Sequence, residues 1–233
     1  MNIILASTST VYGKSYLDYI LPELSVFFKK VETIVFIPYA RPSGLTYEQY
    51  TFKAKKAFAS IGVDVVGIHD FPNPKQAIKE AQAVFTGGGN TFELVNQMYR
   101  NDLFDILSSK IKGGMPYFGT SAGSNIGGVS MKTTNDMPVV YPESFQTMGL
   151  IPFNINAHYM DPIEGSTHMG ETRETRINEF HVYNDTPVIG LREGSWLEVS
   201  QYNIILKGKL SARFFRKGKQ AIECPPSTNF SEI

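Results

Sequence analysis

The sequence predicts an α/β fold: a mostly parallel sheet flanked by helices on both faces, with a C-terminal antiparallel portion. Three observations predict it. Through the first half, short apolar runs rich in β-branched and aromatic residues alternate with longer amphipathic stretches, the pattern of buried parallel strands joined by helical crossovers. Beyond about residue 129 that alternation gives way to strands and loops with little helix. Near the end, apolar runs follow one another across tight-turn pairs, as in antiparallel hairpins.

Taken in order, the expected parallel strands are IILAS (3–7), TIVFIPYA (33–40), DVVGIHD (64–70), AVFTGGG (83–89) and MPYFGTS (115–121). Between the second and third, Tyr47, Tyr50, Ala54, Ala57, Phe58 and Ile61 recur at helical spacing, while Lys53, Lys55 and Lys56 lie off that stripe. GETRETRINEFHVYN (170–184) predicts a helix, and PVIGLREGSWLEVSQYNIILKG predicts short antiparallel strands turning at Glu193-Gly194 and near Gln201 to Asn203. With no internal repeat, low-complexity run or Ser/Gly linker, residues 1–233 are expected to form one domain.

Composition narrows the function classes. The apolar fraction is 42% and the charged fraction 19%, the composition of a globular chain with a sizeable core. Lys plus Arg and Asp plus Glu are both 22, so the basic excess of a nucleic-acid binder is missing. The single cysteine, Cys224, excludes an internal disulfide and suits a reducing compartment. It stands before Pro225 and Pro226 and reads as a chance thiol. The apolar run in MNIILAST is too short for a signal peptide or a membrane span. A cytoplasmic enzyme or binding protein is expected, without nucleic-acid or membrane partners.

The chemistry centres on YFGTSAGSNIGG, residues 117–128. Gly119-x-Ser121-x-Gly123 after a buried strand admits two readings. It is a small-residue loop closing the strand, or a nucleophile elbow that holds Ser121 on a corner too sharp for large neighbours. In the second case the N-terminus of a following helix faces a developing oxyanion. Ser121 then needs a base. His158 ends the apolar run LIPFNINAHY and is the first choice; His69 also stands at a strand end. His168 falls in a glycine-rich loop, and His181 lies inside the expected helix as a structural residue. Glu193, in a turn, and Asp136, in TTNDMP, are the acids that suit the third position. The order Ser, His, acid differs from the Ser, acid, His order of the α/β-hydrolases.

FTGGGNTFEL (85–94) adds a second glycine loop between a strand and a helix. The N–H of Gly88 or Gly89, together with that of Ala122, would make an oxyanion hole. A dinucleotide or phosphate loop is the weaker alternative, because the Gly-x-Gly-x-x-Gly spacing and a Gly-Lys-Ser/Thr element are both missing.

TGGGNTF, GTSAGSN, TTNDMP, GETRETRI and GLREGSWL, in this order across residues 85–198, resemble the aspartyl dipeptidase, or peptidase E, family of serine peptidases. The resemblance implies a glutamine-amidotransferase-like α/β fold with serine in place of the usual cysteine. It implies hydrolysis of dipeptides with an N-terminal aspartate, without metal or other cofactor. Ser121 would be the nucleophile, His158 the base and Glu193 the third member. Asn156-Ala157-His158 departs mildly from the family's Asn-Pro-His and keeps the histidine.

An aspartate pocket must neutralise a carboxylate, which the guanidinium fork does with two hydrogen bonds. Arg173 and Arg176 lie on one helix face. On composition alone they pair with Glu171, Glu174 and Glu179 at the surface; the resemblance favours Arg173 as a substrate contact. Asp136 would meet the substrate amine, or else is a turn residue before Met137-Pro138. Asn90 and Tyr159 complete the expected substrate contacts, a core role for Tyr159 being the other choice. The expected partner is a small peptide, and the chain a monomer or homodimer. The alternatives are a related serine hydrolase of another Asp-containing substrate, as the cyanophycinases are, a non-catalytic amidotransferase-like module, and a nucleotide-binding protein using GGGN.

Overall fold

The computed structural model describes residues 1–162, 165, 167 and 169–232. In chain order the elements are β1 (Ile3–Ala6), α1 (Leu21–Phe27), β2 (Thr33–Ile37), α2 (Tyr47–Ala59), β3 (Asp64–Gly67), α3 (Pro74–Glu80), β4 (Ala83–Thr86), α4 (Thr91–Arg100), α5 (Phe104–Lys112), β5 (Tyr117–Thr120) and the single turn α6 (Ala122–Asn125). They continue with β6 (Asn154–Ala157), α7 (Arg173–Tyr183), β7 (Val188–Leu191), β8 (Ser195–Val199), β9 (Ile204–Gly208), β10 (Ala212–Phe215) and β11 (Ile222–Cys224).

The expected alternation is realised. A seven-stranded sheet runs β3-β2-β4-β5-β1-β8-β9, with its first five strands mutually parallel and β8 and β9 antiparallel at the far edge. Successive side chains alternate between the faces. Ile3, Leu5, Val35, Ile37, Val84 and Tyr117 join a core with residues of α3, α4 and α5. Ile4, Ala6, Ile34, Phe36, Phe85 and Phe118 face α1 and α2. On that second face Phe85 stacks on Phe118 at 4.6 Å between ring centroids and packs tilted against Phe36 at 4.8 Å; burying each ring contributes about 1.5–3 kcal/mol. Helix α2 starts at a Thr46 capping box and buries Tyr50, Ala54 and Phe58 of the expected stripe.

The C-terminal portion differs from expectation in one respect. The turn at Glu193-Gly194 is present, with Gly194 at φ 83° and Ser195 N–H donating to the Arg192 carbonyl at 3.1 Å. The strands it joins, however, enter different sheets. β8 and β9 extend the main sheet, whereas β7 belongs to a four-stranded sheet ordered β11-β10-β7-β6, parallel to β6 and antiparallel to β10. β7 is buried on both faces: Ile189 and Leu191 face the main core, and Val188 packs with Ile177 of α7. A strand apolar on both faces reads the same whichever sheet receives it.

The ends of β1, β4 and β5 emerge on one edge of the parallel sheet, where sites gather in α/β folds. The ends of β6 and β7 approach that edge from the second sheet. Among the described residues no helix is long and apolar enough to cross a membrane.

Candidate active site

Ser121 follows β5 at φ 53° and ψ −111°. A non-glycine residue there is strained and persists only where its surroundings over-determine it. Glycine neighbours supply the room. A Cβ on Gly119 would collide with the Gly123 carbonyl, and one on Gly123 with the Thr86 carbonyl of β4. Hydrogen bonds then fix the corner: Ser121 N–H donates to Ala6 O at 3.0 Å, and the single Ser124 hydroxyl proton is shared between Ala6 O at 2.7 Å and Gly119 O at 2.8 Å. The expected helix after the corner is present as a single turn, Ala122–Asn125. Ser124 N–H and Asn125 N–H both donate to the Ser121 carbonyl at 2.9 Å, closing this turn on the serine.

The glycine loop after β4 lies against this corner. A Cβ on Gly88 would sit 2.9 Å from the Ser121 Cβ, and Gly89, at φ 144°, passes so close to the Ala40 carbonyl that a Cβ would collide with it. Gly87 N–H donates to Ile37 O at 3.1 Å and Asn90 N–H to Ala40 O at 2.8 Å. Tyr50 donates its hydroxyl to Gly88 O at 3.1 Å. Because C=O and N–H point opposite ways across a trans peptide, this bond turns the Gly89 N–H away from Tyr50.

Ser121, His158 and Glu193 meet. His158 Nε2 lies 2.9 Å from Ser121 Oγ, and His158 Nδ1 lies 2.6 Å from Glu193 Oε1. A carboxylate only accepts, so Nδ1 carries the proton and Nε2 is left to accept from the serine hydroxyl. The side chains of His158 and Glu193 are 38% and 50% exposed; solvent screening keeps their pairing a matter of orientation more than of stability. His158 also sits at φ 54°.

Arg192, next to Glu193, ties this turn to its surroundings. Its guanidinium bonds both oxygens of Asp161, at 2.8 and 2.9 Å, and both of Glu223 in β11, at 2.5 and 3.2 Å, and it donates to Ser211 O at 2.7 Å. Those bonds raise the Arg192 pKa and lower that of Asp161.

Asp136 Oδ2 accepts from Thr91 N–H at the start of α4 (2.7 Å) and from Thr134 Oγ1 (2.9 Å), so Glu193, not Asp136, is the acid beside His158. Asn90 caps α4 through Oδ1, which takes Glu93 N–H at 3.0 Å, while its Nδ2 donates to Met137 O at 2.8 Å. Both ends of that amide hold the loop in shape. Tyr159 takes the core role that was its other choice: it is 2% exposed and packs with Ile177, Val188 and Phe215, its ring against Gly190.

Arg173 opens α7 half-buried, and its pKa is lowered by burial first and by Arg176 next, opposed by the charge of Asp136. Arg176 pairs with Glu171 at 3.6 Å and Glu174 with Arg213 at 2.9 Å. Among the described residues Arg173 has no ion-pair partner within 4 Å. His69 lies apart, its ring 5.7 Å from that of Tyr47, and His181 is buried with Nε2 3.1 Å from Thr186 O. His168 lies outside the described residues. Cys224 is buried and its thiol pKa is raised by burial.

Ser7 is the residue that sequence reasoning missed. It is fully buried at the end of β1, and its hydroxyl accepts His158 N–H at 2.9 Å and donates to Leu191 O at 2.6 Å. A small polar residue closing an apolar strand at the site edge was the available signal.

The family described as Peptidase family S51 matches residues 3–207. The chain belongs to peptidase family S51. It is 46% identical over 233 residues to a protein of Streptomyces coelicolor named Peptidase E, covering 100% of this chain and 95% of that one. It is 43% identical over 228 residues to a Drosophila melanogaster protein named Probable alpha-aspartyl dipeptidase, with 97% and 94% covered. Family membership makes the chain a peptidase, a hydrolase. Two solved structures share the fold. A peptidase from an acI-B1 Actinobacterium superposes with a TM-score of 0.73 at 14% identity, covering 98% of this chain and 96% of that one. A putative Peptidase E protein from Listeria monocytogenes gives 0.66 at 20% identity, with 89% and 98% covered.

Proposed function

We propose that this family S51 peptidase hydrolyses dipeptides with an N-terminal aspartate through an acyl-enzyme on Ser121. The observation that carries the chemistry is the chain of contacts Ser121 Oγ to His158 Nε2 at 2.9 Å and His158 Nδ1 to Glu193 Oε1 at 2.6 Å. Ser121 Oγ attacks the scissile carbonyl while His158 Nε2 takes its proton. Glu193 holds the ring and stabilises the imidazolium. The N–H groups of Ala122 and of Gly88 or Gly89 receive the oxyanion, each such donor lowering the barrier by about 3–4 kcal/mol. His158 then gives its proton to the departing amine. Water, deprotonated by the same nitrogen, hydrolyses the aspartyl ester and frees Ser121.

For the substrate, the name of the Drosophila melanogaster relative supports an N-terminal aspartate. Arg173, half-buried in the field of Asp136, takes the side-chain carboxylate, and Asp136 takes the free amine. The reaction draws on no metal or other cofactor. The chain works as one α/β peptidase domain, 1–233, in the cytoplasm, as a monomer or homodimer.

The test is hydrolysis of Asp-Leu against Glu-Leu, Ala-Leu and N-acetyl-Asp-Leu by wild type and Ser121→Ala. Cleavage of Asp-Leu alone, lost in Ser121→Ala, is expected. Equal cleavage of Ala-Leu would remove the acidic pocket, and an active Ser121→Ala would remove the nucleophile.

A further inference from the structure

We propose that Ser7 is a positioning residue of the site: one buried hydroxyl and its own amide hold both the base and the acid in register with Ser121. The inference rests on the serine-peptidase reading for the chemistry and on geometry for the rest.

Ser7 follows β1 with no exposed surface. Its Oγ accepts the His158 N–H at 2.9 Å and donates to the Leu191 carbonyl at 2.6 Å. Its own N–H donates to the Ser195 carbonyl at 3.0 Å. Leu191 and Ser195 lie on either side of Glu193, so the turn that carries the acid is gripped at both ends by this residue. The Leu191 carbonyl also accepts Tyr159 N–H at 3.2 Å, closing a ring of bonds around the His158 backbone. One residue earlier, Ala6 O accepts the Ser121 N–H at 3.0 Å. Two consecutive residues thus bond the backbone at or beside Ser121, His158 and Glu193, which come from different sheets.

The serine hydroxyl is suited to this place. It must accept from one strand end and donate to another at once, which alanine or valine does at neither. His158 sits at φ 54°, a strained conformation for a side chain of its size. The bond from its own N–H to Ser7 opposes relaxation of that backbone. Without it the imidazole is free to leave the line between Glu193 and Ser121, and a shift of about 1 Å in a reacting group lowers turnover on the order of 10²-fold.

Ser7→Ala removes both side-chain bonds, and Ser7→Cys puts a somewhat larger group with a far weaker acceptor in the same place. Ser130→Ala is the control: Asn154 Nδ2 donates to this other buried hydroxyl at 3.0 Å, away from the Ser121–His158–Glu193 contacts. Three readouts apply: kcat and KM for Asp-Leu, the rate at which a fluorophosphonate labels Ser121, and the downfield proton resonance of the His158–Glu193 hydrogen bond. Melting temperature is recorded for each variant.

For Ser7→Ala, kcat and the labelling rate fall about 30- to 100-fold, KM stays within about twofold, and the downfield resonance is lost. Ser7→Cys falls between, and Ser130→Ala keeps kcat within about threefold at a comparable loss of melting temperature. In a Glu193→Gln background the Ser7→Ala loss shrinks below about fivefold, because the two act through the same alignment. The proposal is overturned if Ser7→Ala loses no more activity than Ser130→Ala, or loses the same factor with and without Glu193. Should Ser7→Ala fail to fold, Ser7→Cys is judged by the same criteria. If wild type leaves Asp-Leu uncut, the dipeptidase reading fails, and the labelling rates still decide the role of Ser7.

Discussion

The two halves of the candidate site are built differently. The Ser121 corner belongs to the main sheet, is surrounded by glycine, and is held by Gly119 close in sequence and by Ala6 of the adjacent strand β1. A side chain at Gly119 or Gly123 would strike backbone, and Ser124 bonds back to Gly119. The His158–Glu193 half stands at the ends of β6 and β7 in the second sheet and is roughly half exposed. Distant residues hold it: Ser7 through buried hydrogen bonds, and Asp161 and Glu223 through Arg192. Close steric fit within the main sheet therefore sets the proposed nucleophile, and bonding between the two sheets sets its partners. Changes near the corner should act through stability or abolish the chemistry outright. Changes in the other half should tune turnover.

Ser121→Ala is expected to have the largest effect, on the order of 10⁴-fold or more in kcat/KM for Asp-Leu with an almost unchanged melting temperature. Steady-state kinetics beside a thermal melt checks both. Glu193→Gln comes next, with kcat about 10²- to 10³-fold lower, since an amide can hold the wrong tautomer of His158. A drop of less than about threefold would make the acid half dispensable. Gly123→Ala should break the corner itself: the methyl meets the Thr86 carbonyl, and a backbone clash there removes more than about 2 kcal/mol of stability, read by urea unfolding.

Arg192→Met sharpens the contrast. The Arg192 side chain is 16% exposed while Asp161 and Glu223 are 46% and 52% exposed, so the clamp is screened. Its loss should lower stability by about 1–2 kcal/mol and kcat by about tenfold, with little change in KM. High salt should narrow the gap between wild type and variant. Acid gives the smallest effect. Hydrogen bonds from Arg192 hold the Asp161 carboxyl below its ordinary value. The folded chain thus binds that proton less readily than the unfolded one. The stabilisation is complete above the ordinary carboxylate pKa of about 4 and is lost as pH falls through the lowered value. Melting temperature should fall more steeply for wild type than for Arg192→Met between about pH 5 and 3.

Much of the first half was legible because its signals are local. Strand and helix differ in apolar period, so the parallel strands and the α2 stripe of Tyr50, Ala54 and Phe58 could be placed from sequence. The glycine spacing around Ser121 is a steric signal within five residues, and the corner is there at φ 53°. The helix beyond it is a single turn: Gly123, Ser124 and Asn125 suit the sharp corner and propagate helix poorly. In the C-terminal third, His158 was a candidate at a strand end, whereas the choice between Glu193 and Asp136 had no local signal. Both are acids in turns, and the hydrogen bonds that separate them span 35 and 45 residues.

From the residue pattern alone follow the α/β alternation, the strained serine and the glycine loop beside it. These depend on steric volume and periodicity, which each segment carries in its own composition. The three-dimensional arrangement alone assigns β7 to the second sheet and Tyr159 to the core, and it places Glu193 at the imidazole. It also brings Ser7 to His158 and Leu191, 151 and 184 residues away in the chain. Bonds of that range depend on which surfaces meet when the two sheets pack, and no periodicity in the sequence encodes that meeting.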